Sequence, residues 1–237
     1  MHKIKKAIIP VAGLATRMYP ISKAVKKALL PVCDIDGRIK PLIFKLLEEL
    51  VASGIEEIFL IVNDYDKEVY KKIFEQSSSS VLAKLSSDDK EYDKNLKIIG
   101  DKITYIVQNE ALGFGHAVYL ARDYINKEPV ILLLGDTLYK SLNNSISCVE
   151  QLLQYFDDVE TTIIALKELK EDELKYYGTV QGKWINDEKN KLILSKIVEK
   201  PNIEYAKKNL LIDNKFYGNF GEFILPEELF VELENII

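Results

Sequence analysis

Arg17 and Lys27 stand ten positions apart in a segment that opens directly from an apolar run. The run is Lys6-Ala7-Ile8-Ile9-Pro10-Val11-Ala12, and Gly13-Leu14-Ala15-Thr16-Arg17-Met18-Tyr19-Pro20 follows without a break. Lys23 and Lys26 add positive charge, and Pro31 closes the segment. A buried strand that opens into a small-residue loop presents backbone N–H groups to an anion. Arginine grips phosphate oxygens through two parallel hydrogen bonds, and lysine acts as a point charge. Together they suit a polyanion, and a nucleoside triphosphate is the natural one. The spacing is neither the phosphate loop Gly-x-x-x-x-Gly-Lys-Ser/Thr nor the dinucleotide fingerprint Gly-x-Gly-x-x-Gly.

Three further groups of residues bear on this reading. Gly135-Asp136 follows the apolar run Val130-Ile131-Leu132-Leu133-Leu134. A carboxylate at the C-terminal end of a buried central strand sits where α/β sheets bind ligands. Alone it reads equally well as a turn or capping aspartate; beside a triphosphate loop it is a good Mg²⁺ ligand. Gln108-Asn109-Glu110-Ala111-Leu112-Gly113-Phe114-Gly115-His116 lies between a strand pattern and a helix pattern. His116 by itself reads as a packed or capping side chain. Val198-Glu199-Lys200-Pro201 reads on its own as a strand end with solvated charges.

The elements that must position these residues alternate between apolar bursts and helical patterns, the mark of βαβ units. Strands are expected over 7–12, 58–62, 103–107, 129–134, 161–166 and 221–225. Helices are expected over 41–53, 66–76, 115–125, 145–156, 202–210 and 226–235. The first has Leu42, Leu46, Leu47 and Leu50 on one face and ends at Gly54. Residues 177–184 and 192–199 read as two strands around an Asn186-Asp187-Glu188-Lys189-Asn190 turn. The serine-rich stretch 77–100 reads as a surface insertion. No internal repeat or domain boundary stands out, so 1–237 reads as one domain: a three-layer α/β/α sandwich with a mostly parallel central sheet.

The formal net charge of −5 argues against non-specific nucleic-acid binding. It does not disfavour a small anionic ligand, which needs only local positive charge. With two cysteines, Cys33 and Cys148, far apart, and only two histidines, a zinc site is not expected. The thiols read as reduced, in a cytoplasmic protein. No apolar run reaches the ~20 residues needed to span a bilayer, so no membrane partner is expected.

Gly-x-x-Thr-Arg-x-x-Pro followed by Lys-Ala-x-x-Lys-x-x-Leu-Pro resembles the loop of the sugar-1-phosphate nucleotidyltransferases. The Ser22-Lys23-Ala24 variant is most similar to the bacterial UTP–glucose-1-phosphate uridylyltransferases. The resemblance runs from about Lys6 to about Phe230. It implies the Rossmann-like nucleotide-diphospho-sugar transferase fold and the reaction of UTP with glucose 1-phosphate to give UDP-glucose and pyrophosphate, with Mg²⁺ as cofactor. It further implies that Arg17, Lys27 and Lys200 are the catalytic cations. Ala12, Gly13, Gln108 and Gly113 would hold the nucleotide, Gly178 and Glu199 the sugar, and Asp136 the metal. An amide can donate and accept at a base edge, and a glycine lets backbone approach a flat ring.

The sequence also departs from the pattern. The family has Gly where this chain has Ala15, Pro where it has Lys26, an acidic residue where it has Ala28 and Lys where it has Leu112. It continues past this length, with a second metal-binding Asp in an Asp-Cys-Gly-type segment and helices that help some members dimerise. A homo-oligomer is therefore left open. A weak or inactive nucleotide- or nucleotide-sugar-binding protein and a thymidylyltransferase of the same fold stay as alternatives, because a base pocket separates uracil from thymine by one methyl, worth about 1–3 kcal/mol.

Overall fold

The structure, a computed structural model, describes residues 3–141 and 145–237. Two compact units emerge. The first takes in the described residues up to Ile163 together with Phe223–Ile237; the second is Ile164–Glu222.

The first unit opens with β1 (Lys6–Pro10), followed by the loop and then a two-stranded antiparallel hairpin, β2 (Pro31–Cys33) and β3 (Ile39–Pro41). Then come α1 (Leu42–Ala52), β4 (Glu57–Val62), α2 (Lys67–Ile73), α3 (Ser79–Leu82), α4 (Ser87–Gly100) and β5 (Ile103–Val107). After them follow α5 (Phe114–Tyr119), α6 (Arg122–Ile125), β6 (Val130–Leu133) and α7 (Cys148–Val159). The strands run in the order β5-β4-β1-β6, with every neighbouring pair parallel. β1 is therefore buried on both edges and both faces, which accounts for its unbroken apolar sequence.

Successive side chains of a strand face opposite sides of the sheet. Ile8, Phe59, Ile61, Ile106, Val130 and Leu132 form one face and pack with Ala117 and Val118 of α5, Ile125 of α6, and Leu225 and Phe230 near the C-terminus. The alternate residues, Ala7, Ile9, Ile58, Leu60, Ile131 and Leu133, are equally buried on the other face. The apolar stripes of α1 and α7 are buried as well, outside that first cluster. The two helices meet where Ser53 Oγ approaches Ser147 Oγ at 3.3 Å and where Glu49 accepts from the Val149 N–H at 3.1 Å. Helices thus cover both faces of a mainly parallel sheet, as expected.

Helix ends follow the sequence closely. α1 stops where Gly54 takes φ +86°, with the Ile55 N–H returning to the Leu50 carbonyl at 3.1 Å. α7 starts under Ser147, whose hydroxyl accepts from the Glu150 N–H at 3.0 Å.

The stretch 77–100, expected as a surface insertion, is largely helical, in α3 and α4. Ser86 caps α4 by accepting from the Asp89 N–H at 3.1 Å. Only Ile99 of this helix is buried, so its sequence lacks the apolar stripe by which helices are recognised. It is held by polar contacts instead: the Tyr92 hydroxyl donates to Glu48 at 2.7 Å, and Arg38 of the hairpin pairs with Asp89. Beneath them Lys40 binds Asp34 at 2.7 Å, Asp36 at 2.9 Å and Glu48 at 3.1 Å. Burial opposes charge on both Asp34 and Lys40, but the hydrogen bonds prevail. Lys40 and Lys45 hold the Asp34 carboxyl well below the usual range, and the surrounding carboxylates hold Lys40 above the usual lysine range.

The second unit contains β7 (Ile163–Leu169, entering at the boundary), β8 (Gly178–Trp184), β9 (Leu192–Glu199), α8 (Ile203–Asn209) and β10 (Phe216–Leu225). β8 pairs antiparallel with β9 and β10. Leu169, Leu174, Ala206, Leu210 and Phe216 form its own small core. The expected turn closes β8–β9 where the Ile185 N–H donates to the Lys191 carbonyl at 3.0 Å. β10 begins at Phe216, five residues before the expected strand, and Gly218 interrupts the apolar pattern in that earlier part. A Cβ at 218 would come within 2.5 Å of Leu169 Cδ1, so the glycine there serves packing. The chain then returns to the first unit, where α9 (Glu227–Ile236) packs on α5.

Candidate active site

β1 leads straight into the cationic loop. The Val11 N–H donates to Ile61 at 2.8 Å, extending the β1–β4 ladder by one residue beyond the strand. Ala12 is buried, Gly13 is exposed, and Ala15 takes a left-handed φ of +49°. That turn starts a single helical turn over Thr16–Met18, with the Met18 N–H on the Ala15 carbonyl at 3.0 Å. Arg17 sits in this turn, exposed, with no hydrogen-bond or ion-pair partner among the described residues.

The loop returns through a second turn and a third, Lys27–Leu29, which is anchored by buried Ala28. Lys27 Nζ pairs with Asp136 Oδ2. Lys26 turns the other way and pairs with Asp66 at 2.7 Å. The Asp66 side chain is only 6% exposed, and its second oxygen accepts from Asn63 Nδ2 at 2.5 Å. β1 lies between β4 and β6. Adjacent lysines therefore strap the loop to residues just past the C-terminal ends of both flanking strands.

Asp136 reaches the cleft because Gly135 precedes it. A Cβ at 135 would fall 2.4 Å from Val11 Cγ1 and 3.1 Å from the Pro10 carbonyl oxygen. The end of β6 can thus lie against the end of β1 only with glycine here. Asp136 Oδ1 also accepts from the Thr137 hydroxyl at 3.3 Å. Gly13, Thr16, Arg17, Lys27, Gly135 and Asp136 line one cleft of about 300 Å³. Its Lys27–Asp136 pair is internally neutral, so the unpaired guanidinium leaves it net positive.

Gln108 stands two strands away, at the end of β5 along the same sheet edge. Its N–H donates to Val62 at 2.8 Å, and its side chain reaches the Gly113 carbonyl at 3.2 Å. Gly113 takes φ +104° at the start of α5.

In the second unit Lys200 directly follows β9 with φ +46°, its N–H on the Tyr177 carbonyl at 3.2 Å and its Nζ on Glu199 at 2.9 Å. A Cβ at Gly178 would lie 3.1 Å from both Glu199 Oε2 and Asn219 Nδ2, so this glycine keeps carboxylate and amide close to the backbone.

The nucleotidyl transferase family model matches residues 6–236. The chain belongs to the nucleotidyl transferase family. A UTP–glucose-1-phosphate uridylyltransferase of Staphylococcus saprophyticus is 34% identical over 98% of this chain and 75% of its own length. That of Bacillus subtilis is 32% identical over 99% and 75%. Among solved structures, apo UDP-glucose pyrophosphorylase superposes with a TM-score of 0.82 at 27% identity, over 98% of this chain and 80% of the other. The UTP-bound enzyme from Acinetobacter baumannii gives 0.78 at 26%, over 98% and 78%.

In this nucleotidyl transferase the expected residues form three groups. Gly13, Arg17, Lys27 and Asp136 share the cleft, with Ala12 beside it in the chain. Gln108 and Gly113 are joined at the end of β5. Gly178, Glu199 and Lys200 cluster in the second unit. The sequence reading counted Lys26 only as added loop charge and did not single out Asp66 or Asn219. Asn219 sits inside a strand pattern broken by glycines, and the partner of Lys26 is forty residues away, so no local signal marks either.

Proposed function

We propose that this nucleotidyltransferase makes UDP-glucose and pyrophosphate from UTP and glucose 1-phosphate, in the cytoplasm. The observation that carries the reading is the unpaired Arg17 guanidinium beside Lys27 and Asp136 in one cleft at the C-terminal sheet edge, in a chain of this family. A phosphate oxygen of glucose 1-phosphate attacks the α-phosphorus of UTP. The new P–O bond forms as the α–β phosphoanhydride bond breaks, and its electron pair leaves with pyrophosphate. The nucleophile is already anionic, so no general base is needed. Catalysis is positioning and charge neutralisation.

Arg17 and Lys27 offset charge on the triphosphate and the leaving pyrophosphate. Ala12 and Gly13 present backbone, and Gln108 and Gly113 hold the uracil. Glu199 and the Gly178 backbone hold sugar hydroxyls, and Lys200 holds the attacking phosphate. The donor set at the cleft, an exposed carboxylate with a hydroxyl beside it, is all oxygen and fits Mg²⁺ completed by substrate phosphates. Asp136 would hold that ion, which supplies charge neutralisation at phosphate oxygens when bound.

The test is a pyrophosphate-release screen with purified protein, Mg²⁺, each nucleoside triphosphate and several sugar 1-phosphates. UTP with glucose 1-phosphate should give the highest kcat/KM. No release from any pair would end the proposal.

A further inference from the structure

His116 is absorbed by none of the roles above, yet it touches the one amide assigned to the base. Gln108 Nε2 lies 3.2 Å from the Gly113 carbonyl oxygen and 3.0 Å from His116 Nδ1. A carbonyl oxygen can only accept, so the Gln108 group facing it is the NH₂. An amide NH₂ has two hydrogens, and here both have takers. His116 Nδ1 must then accept as well, which places the ring proton on Nε2. What remains is Gln108 Oε1, which has no partner among the described residues. The amide therefore has one open hydrogen-bonding atom, and that atom is an acceptor.

Gly113 and His116 sit three residues apart at the start of α5, so one helix end grips the amide from two sides. With either hold gone, the amide can rotate and offer NH₂ in place of oxygen. Uracil and thymine carry a donor at ring N3, whereas cytosine carries an acceptor there and an amino group beside it. A fixed acceptor favours the first pair and leaves cytosine with two acceptors opposed.

We infer that His116 is a positioning residue that locks the Gln108 amide with its oxygen outward and so selects bases bearing an N3–H over cytosine. This rests on the proposed nucleotide function, and the test keeps the two apart. Dissociation constants for UTP and CTP are measured by calorimetry on the wild-type protein, His116→Leu and His116→Asn, with turnover recorded separately by pyrophosphate release. The wild type should bind UTP in preference to CTP. His116→Leu should lower that preference by about tenfold, the worth of one oriented hydrogen bond. In turnover the loss should fall on the KM for UTP, with kcat little changed. His116→Asn, whose side-chain oxygen can take the same hydrogen, should recover most of the preference. His116→Ala, which adds no bulk, repeats the measurement should leucine lower the melting temperature.

An unchanged UTP-to-CTP ratio in the leucine and alanine variants overturns the inference, as does a wild type that binds the two equally. A wild type that discriminates in binding but releases no pyrophosphate overturns the functional proposal and leaves the role of His116 to be decided by the binding ratios.

Discussion

Ala15 is a residue whose conformation and identity disagree. Its φ of +49° lies in the left-handed region, where a Cβ costs about 1–2 kcal/mol, and the resembling loop carries Gly there. Ala15→Gly removes that strain but gives the unfolded chain more freedom, a cost of about 0.4–1 kcal/mol. The expected net is a gain of about 0–1.6 kcal/mol, read as a higher urea midpoint at unchanged slope. Arg17 should behave in the opposite way. It has no partner to lose, so Arg17→Ala should leave the melting temperature where it was while lowering kcat about a hundredfold, the usual cost of one such charge contact. Unchanged turnover in that variant would remove Arg17 from the triphosphate. Lys200 resembles Ala15 in geometry, at φ +46°, but its side chain is the one proposed to hold the attacking phosphate. A left-handed non-glycine residue carries backbone strain of the kind that gathers at functional sites.

Two polar assemblies fix whole elements rather than single side chains. The Lys26–Asp66 pair ties the cationic loop to the end of β4, and Asp66 is buried. Asp66→Ala should strand Lys26 and loosen the loop, raising the KM for UTP several-fold while Lys27 keeps its own partner. A KM equal to that of the wild type would show that the loop is held by other contacts. The second assembly joins the β2–β3 hairpin, α1 and α4 through Asp34, Lys40, Glu48 and Tyr92. Breaking a buried pair of this kind costs about 3 kcal/mol, the drop expected for Asp34→Ala in chemical unfolding. Its pH dependence has a definite sign. Asp34 titrates below its unfolded value, so its contribution is present above about pH 4 and fades as pH falls further. Lys40 titrates above its unfolded value, so its contribution is present below about pH 10.5 and fades as pH rises through its folded value. The wild type should lose stability in acid more steeply than Asp34→Ala, as thermal melts from pH 6 down to pH 3 would register.

Across the whole molecule, legibility in the sequence tracks how local each determinant is. β1, β4, β5 and β6 are continuous apolar runs, because a parallel strand buried on both faces has no polar side to show. α1 and α7 announce themselves through a stripe and a terminus. α4 does not, because it docks through charges on α1 and the hairpin. Arg17, Lys27 and Asp136 could be picked out from a loop and a strand end, but the strap formed by Lys26 depends on a contact no spacing reveals. The early start of β10 is hidden by Gly218, whose purpose lies on a neighbouring strand.

The route of the chain has one more consequence. It leaves the first unit at Ile163 and re-enters only at Phe223. Phe223, Leu225, Leu229, Phe230 and Leu233 complete the apolar layer over α5 and α6. During synthesis that layer stays uncovered while the intervening segment is made, roughly 3–12 s at about 5–20 residues per second. A released fragment ending at residue 222 should bind a hydrophobic dye and yield to protease around α5 and α6, whereas the chain through residue 237 should do neither. For these seconds the nascent polypeptide is a client for any factor that shields greasy surfaces on the ribosome.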